Sequence, residues 1–592
     1  MITKLGNPEE DNLKMSYIQK KINIIILLLS LGLFFFLLSS EITYGLPFFL
    51  NGDEGTFLKS TLYFYGFFTH ANQKLIDPIT TPLLNFLLSG FIGIFYKIFF
   101  TDLLLSEYQN FIFLNPDKFI LFSRISSLLV SSGSVIFSYL ILKKLKIKSS
   151  IFFLFILSIS LSPIFIDVAI VGGKNAYLLF FYLVQIYFFL KYLSNPEKFT
   201  FKIYILFAIL GSIAWGINFW ASLPSIYSIL FLHYQKYRFK EINKIIFFGF
   251  LFCLIGVFPI SIISSHSPFQ HLFDSSLIEN DHIMYPVKNR FYIFFQEIYH
   301  AIYLIIITEK FISIIIILLL VYLVKNKKNI ENFNLKIKIV LTFIFFIFEP
   351  VLLFAIAEWI YPQFRYFGPS ILILNFLFIY LSYIYFTNLK NNKYKIFFFS
   401  LFMIIFFSSL YTKINIHYKF KESIDKKFIQ YQIFDKFSEK KVIYSLSNLM
   451  MRENSETLKL YKELLDQKII LPGIDGDGKN SPEQIEKKIS ILQKNEKKNI
   501  KPNSKNLIFL GQEFDIIKKK DLINFLKKNF DIIIIEKDNV ALNNILADEK
   551  FEKNIFSKSM NIYTGRSLLK RILNDSKDDY IVGPEIYIYN LN

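Results

Sequence analysis

The 592-residue chain has one cysteine, Cys253, and it sits inside an apolar run. Neither an intramolecular disulfide nor a multi-cysteine zinc site can be built from it. Charge is also scarce over most of the chain: charged residues are 19% overall, sparse to about Phe406 and dense beyond it. No Gly-rich phosphate loop follows a strand-like run, so nucleotide binding has no support. The stretch Gly473-Ile474-Asp475-Gly476-Asp477-Gly478 begins like a calcium loop. Counted from Asp475, however, the sixth position is Asn480 instead of Gly, and Pro482 follows, so it reads as a flexible turn. No small-residue cleavage site follows the apolar run of 22–38 behind Lys20 and Lys21, which makes that run a retained signal anchor rather than a cleaved leader. No internal repeat is found.

Apolar mass is what the chain has in abundance: 53% hydrophobic residues, 18% aromatic, 71 of them Phe. A soluble protein of this length cannot hide that surface, whereas a bilayer accepts it in spans of about 20 residues. The pattern predicts a polytopic α-helical membrane protein. Eleven spans are expected, at 22–40, 119–142, 150–167, 175–193, 203–217, 218–232, 245–264, 305–324, 339–358, 367–386 and 395–411. The pair over 203–232 is tight and joined near Asn218.

The formal net charge of +19 would suggest nucleic acid in a soluble protein. Here the lysines lie in short loops between apolar runs, which is the signature of membrane orientation. With this threading one face collects the tail lysines, Lys143 to Lys148, Lys191 to Lys202, Lys236 to Lys244, Lys325 to Lys338 and Lys390 to Lys395. The opposite loops are poor in Lys and Arg. Positive-inside bias then makes residues 1–21 a cytoplasmic tail and 22–412 the membrane domain of a multi-pass protein of the cell inner membrane. Residues 413–592 become a soluble extracytoplasmic domain. The apolar segment 83–100 is nearly long enough to span, but a crossing there would invert the lysine bias. It is therefore laid along the outer surface as a juxtamembrane helix within an outer loop of 41–118.

Asp53 and Glu54 follow the first span in Asn51-Gly52-Asp53-Glu54-Gly55. Adjacent carboxylates at a bilayer surface must be solvated, paired or used. They read either as a general base acting on an acceptor hydroxyl or amine or as an exposed acidic loop tip. Arg124 lies just inside the outer end of the second span, Lys174 in the outer loop before the fourth, and Arg365 at the outer end of a late span. All three cations share one membrane level, where a lipid phosphate would sit, and Arg binds phosphate through two parallel bonds. Snorkelling to ordinary phospholipid is the alternative. The outer loop 265–300 holds His266, His271, His282 and His300 with Asp274, Glu279 and Asp281. His266, His271 and His282 are candidate ligands of a divalent metal ion, although their spacing matches no tight motif and also suits a polar loop over a cavity.

After about Ile414 the chain is Lys-rich, with β-like runs at 441–446, 506–511, 530–535 and 586–589 and helix-like stretches between them. Alternation of this kind predicts a small α/β domain with a largely parallel sheet.

The order of these features resembles the GT-C superfamily of membrane glycosyltransferases, in particular the branch of protein O-mannosyltransferases and lipid A aminoarabinose transferases. The resemblance covers about residues 20–412 and rests on four pieces: Asp53-Glu54 after the first span, Thr81-Pro82-Leu83-Leu84 opening a juxtamembrane helix, Arg124-Ile125-Ser126-Ser127 in the second span, and Arg365-Tyr366 before a late one. Thr80-Thr81-Pro82 stands where the family has His-Pro-Pro. Asn85 and Phe86 occupy the region where some members carry a phosphate-binding Lys.

The resemblance implies a sugar donor on a polyprenyl phosphate and a glycolipid, glycan or protein acceptor. It gives Asp53 the role of base, with Glu54 orienting it or holding a metal, and assigns the donor phosphate to Arg124, Arg365 and Lys174. A transporter or flippase for lipid-linked glycans, or a non-catalytic membrane scaffold, are the rival classes. Nucleic acid is not an expected partner.

Overall fold

The computed structural model describes residues 8–42, 80–104, 108, 116–170, 172–259, 290–356, 364–425, 440, 442–445, 523–524, 527, 531–536, 543–544, 546–547, 551–556 and 586–591. The architecture is that of a helical membrane protein. Among the described residues six helices are long and apolar enough to cross a bilayer: Ile18–Ser39, Thr80–Phe100, Lys118–Lys144, Lys174–Leu193, Gly368–Asn388 and Asn392–Phe420. A seventh crossing arises if the bent pair Phe294–Thr308 and Ile312–Lys325 counts as one.

The helices in chain order are α1 (Pro8–Glu41), α2 (Thr80–Phe100), α3 (Pro116–Lys144), α4 (Ser150–Phe153), α5 (Phe155–Ser160), α6 (Ile164–Ala169) and α7 (Lys174–Leu193). They continue with α8 (Phe201–Trp215), α9 (Leu223–Tyr237), α10 (Ile242–Phe252), α11 (Arg290–Thr308), α12 (Lys310–Lys325), α13 (Phe333–Ile356), α14 (Gly368–Asn388) and α15 (Asn392–Asp425).

Three of the apolar runs differ from expectation. The run at 150–167, read as one span, is broken: α4 and α5 end at Ser160, and the chain restarts after Pro163 as α6. Proline has no backbone N–H to give to the preceding turn, so hydropathy alone overstates this segment. The run at 305–324 is likewise not one straight helix, because α11 and α12 meet at Glu309 with a bend of 98°. Finally, α15 does not stop near 411 but continues to Asp425, carrying buried Lys413 and His417 past the expected domain boundary. The tight pair at 203–232 is present as α8 and α9, joined through a 3-10 turn at Phe219–Ser222.

Packing is tightest between α3 and α7, with α13 and α12 against α14. Helix α14 is buried on nearly every face, from Gly368 to Ser382, so protein surrounds it, whereas α1 and α15 bury only one face. Close backbone approach is made by glycine. A Cβ on Gly256 would lie 2.9 Å from the Cα of Ser212 on α8, and one on Gly133 would lie 2.7 Å from the Phe180 ring on α7.

The C-terminal strands β1 (Val442–Ser445), β2 (Ile532–Glu536), β3 (Lys553–Phe556) and β4 (Ile586–Asn590) form one sheet in the order β1-β2-β4-β3. Only β1 and β2 are parallel; β2–β4 and β3–β4 are antiparallel, with Ile534 opposite Ile588 and Asn554 opposite Ile588 on its other side. The sheet is therefore mixed, not largely parallel. β3 was not anticipated, since Lys553-Asn554-Ile555-Phe556 has too few β-branched residues to stand out. The expected run at 506–511 lies outside the described residues.

Candidate functional site

Arg124 is the sequence-nominated residue about which most can be said. It lies on α3, eight residues after Pro116, and its side chain is wholly buried. Its Nη1 donates to the carbonyl oxygen of Ile42 at 3.1 Å. Ile42 is still in the last turn of α1, its N–H bonded to the Leu38 carbonyl at 2.9 Å. A buried guanidinium has five N–H donors to satisfy, and one of them is fixed at the point where the chain leaves α1 for the loop that carries Asp53 and Glu54. Those two carboxylates lie outside the described residues, as do His266, His271 and His282.

A polar cluster shares this level of the molecule. Asn85 of α2 exchanges hydrogen bonds with Ser123 of α3, at 3.0 Å from its Nδ2 and 3.3 Å to its Oδ1. Tyr177 of α7 donates to the same Asn85 Oδ1 at 3.3 Å and lies 2.7 Å from the Ser126 hydroxyl. All four side chains are buried. Asn85 thus ties together α2, α3 and α7. Thr81 and Asn175 lie one turn away on α2 and on α7, and the buried Thr81 Oγ1 and Asn175 Oδ1 have no hydrogen-bond partner among the described residues.

The elements carrying the three expected cations converge on α6. Helix α3 packs on it, as do α1, α7 and the 3-10 turn Phe364–Phe367. Arg365 is in that turn, immediately before α14, and a Cβ on the adjoining Gly368 would come within 3.0 Å of Ile164 of α6. Lys174 is the first residue of α7 and is half-buried. Helix α6 itself carries a buried acid, Asp167, 4% exposed, which the sequence reading did not single out.

Sequence reasoning also missed a second charged cluster. Lys413 of α15 and Glu309, at the break between α11 and α12, form an ion pair at 2.7 Å with both side chains 1% exposed. Asn375 of α14 donates to Glu309 Oε1 at 2.9 Å, and Lys413 also donates to the Ser158 carbonyl and hydroxyl at 3.2 and 3.1 Å. Glu349, a buried acid of α13, takes a hydrogen bond from Tyr182, whose hydroxyl also lies 3.4 Å from the Phe346 carbonyl. Pro350 follows Glu349 and cannot donate to the preceding turn. Tyr182 and the Ser370 hydroxyl, which donates to the Ile347 carbonyl at 2.9 Å, supply donors where α13 is short of them.

No group of three or more His, Cys, Asp or Glu side chains close enough to share a metal ion occurs among the described residues. Comparison with family models, with curated proteins and with solved structures finds no match to the chain. The class of protein is therefore defined by the fold alone, as a helical membrane protein with a small mixed sheet at its C-terminal end.

Proposed function

We propose that this chain is a GT-C-like membrane glycosyltransferase that moves a sugar from a polyprenyl phosphate to an acceptor hydroxyl or amine at the outer face of the membrane. One observation carries the reading: a fully buried arginine, Arg124, is bonded to the end of α1 at the entry to the Asp53-Glu54 loop. A buried guanidinium at headgroup depth is a costly feature that a phosphate-handling site would use. The convergence of the elements bearing Arg124, Lys174 and Arg365 on α6 supports it.

In this scheme Asp53 takes the proton from the acceptor while its oxygen or nitrogen attacks the anomeric carbon. The glycosyl–oxygen bond breaks, the phosphate leaves with the electron pair, and the configuration inverts. Arg124, Arg365 and Lys174 stabilise the charge that accumulates on the departing phosphate. Glu54 orients Asp53 or would hold a divalent ion, which would act there as a Lewis acid.

A strain lacking the chain is expected to lose one glycan modification of its envelope, read in a glycolipid and glycoprotein profile. Wild-type chain restores it, whereas Asp53→Asn at equal membrane abundance restores less than about 1% of it, the size of effect expected when a general base is removed. Full restoration by Asp53→Asn overturns the proposal.

A transporter of lipid-linked glycans is the second reading, favoured by the 98° break at Glu309 and its buried charge partner. The same strain separates the two. A transporter mutant accumulates the intact lipid-linked glycan in the inner leaflet, whereas a transferase mutant accumulates its sugar donor with the acceptor unmodified.

A further inference from the structure

We infer that the chain carries a second, separate anion site: a cleft at the lysine-rich end of the bundle that binds a phosphate-bearing ligand. The cleft has a volume of about 790 Å³ and lies between the turn after α7, the last turn of α9 and the α12–α13 connection. Lys327, Lys328 and Lys338 line it together with Gln235, Asn332 and Asn334, and no acidic residue is among the described residues of its wall.

Four features make this more than a scatter of surface lysines. First, the three lysines are uncommitted: among the described residues none of them has a side-chain hydrogen bond or ion pair. Lys236, one residue from the cleft, is by contrast consumed in structure, bonding the Phe199 and Glu197 carbonyls at 2.7 and 3.2 Å. Those bonds fix the end of α9 to the turn behind α7 and so hold that wall in place.

Second, the Nε2 of Gln235 is buried and has no hydrogen-bond partner among the described residues. An unmatched amide donor in a residue of the cleft wall gives an entering acceptor a partner once the side chain turns toward it. Third, the N-terminus of α13 opens into it. Asn332 adopts a left-handed conformation at φ 53°, tolerable for Asn. Its carbonyl accepts from the N–H groups of Leu335 and Lys336 at 3.0 and 3.1 Å. That leaves the N–H groups of Phe333 and Asn334, ahead of the first bonded pair, without an intrahelical acceptor at the positive end of this 24-residue helix.

Fourth, the size is right: a cleft this large admits a diphosphate or a phosphorylated headgroup, where a single small anion would leave most of it empty. The site is also distinct from the proposed transfer site. Lys174 and the cleft-lining Leu193 are the two ends of the 20-residue helix α7, so the two sites lie about 30 Å from each other across the membrane domain. On the positive-inside orientation the cleft faces the cytoplasm.

A lipid headgroup and a free diphosphate offer the same chemistry, and the test separates them. Full-length protein is placed in phosphatidylcholine nanodiscs, and binding is measured for phosphatidylglycerol doped into the disc and for inorganic pyrophosphate added in solution. The expected result is saturable binding of at least one probe, lowered about a hundredfold in Lys327→Gln/Lys328→Gln/Lys338→Gln, since each lysine facing an anionic group contributes about a factor of five. The corresponding triple Arg variant keeps most of the binding. Lys143→Gln/Lys148→Gln, on the same face but outside the cleft, leaves it unchanged. Tighter phosphatidylglycerol binding makes the ligand a lipid, and tighter pyrophosphate binding makes it soluble. Failure of both probes to bind, or equal losses in the cleft and control variants, overturns the site. All five lysines are exposed or nearly so, and none packs in the core, so the variants test binding and not folding.

Discussion

At the residue scale, the membrane domain spends several of its ionisable side chains on internal contacts. Lys413 and Glu309 hold the bend between α11 and α12 against α5, α14 and α15 at once. Removing one partner of such a pair strands the other charge in a buried setting, at a cost of about 3–5 kcal/mol, while removing both is far milder. Lys413→Met is thus expected to destabilise the protein by several kcal/mol in denaturant unfolding, and Glu309→Gln/Lys413→Met to recover most of that loss. Equal stability of the single and double variants would mean that the pair is not coupled. The sequence could not reveal this contact, because Glu309 and Lys413 are 104 positions apart and each looks like a charge capping the end of an apolar run. Arg124 was legible because a lone guanidinium inside a span has few inexpensive fates. Tyr177, Asn85 and Ser126 were not, since single hydroxyls and amides in apolar segments carry no charge signal. One cue was available: Ser123, Ser127, Ser131, Ser134 and Ser138 recur at helical spacing along α3, and every one of them is buried.

At the element scale, hydropathy located apolar segments well but could not report where a helix breaks or which way strands pair. The run through Pro163 and the run through Glu309 have the composition of single spans, yet α5–α6 and α11–α12 are interrupted, because composition averages over the residues that end a helix. For β1, β2 and β4 the Ile- and Tyr-rich runs sufficed, but strand direction depends on connections that propensity does not encode. Close helix approach also leaves a testable trace. On α10 and its π-turn extension at Cys253–Val257, Gly249 has nothing within 4 Å of an added Cβ, whereas Gly256 meets the Ser212 backbone. Backbone cannot yield as a side chain can. Gly256→Ala is therefore expected to cost about 1–3 kcal/mol, and Gly249→Ala to be neutral or slightly stabilising through helix propensity. Thermal unfolding of the two variants in the same detergent checks the contrast, and equal behaviour would refute the tight α8–α10 contact.

At the scale of the whole molecule, orientation decides which face carries the proposed transfer site and which the lysine cleft, and α2 is the element on which orientation turns. It is one of the helices long and apolar enough to cross. Its contacts argue for an oblique course across the Pro116 end of α3. From Asn85 to Tyr96, about 16 Å of helix, its partner on α3 shifts only from Ser123 through Phe122 to Lys118, about 8 Å. A helix running alongside α3 through the bilayer would keep pace with it. The small buried stripe Thr81, Asn85, Ser89 and Gly93 lies on the protein, while Leu87, Phe91, Ile94 and Ile98 on the other face are exposed. Because Cys253 is the only cysteine, a Cys253→Ser chain is a clean background for single cysteines read with a membrane-impermeant maleimide in right-side-out vesicles. Thr80→Cys and Asp102→Cys, at the two ends of α2, are both expected to react without lysis, and so is Lys440→Cys. Lys148→Cys, Lys240→Cys and Lys328→Cys should react only after lysis. If Thr80 and Asp102 label from opposite sides, α2 crosses, and the orientation that the loop lysines give to the later helices is overturned.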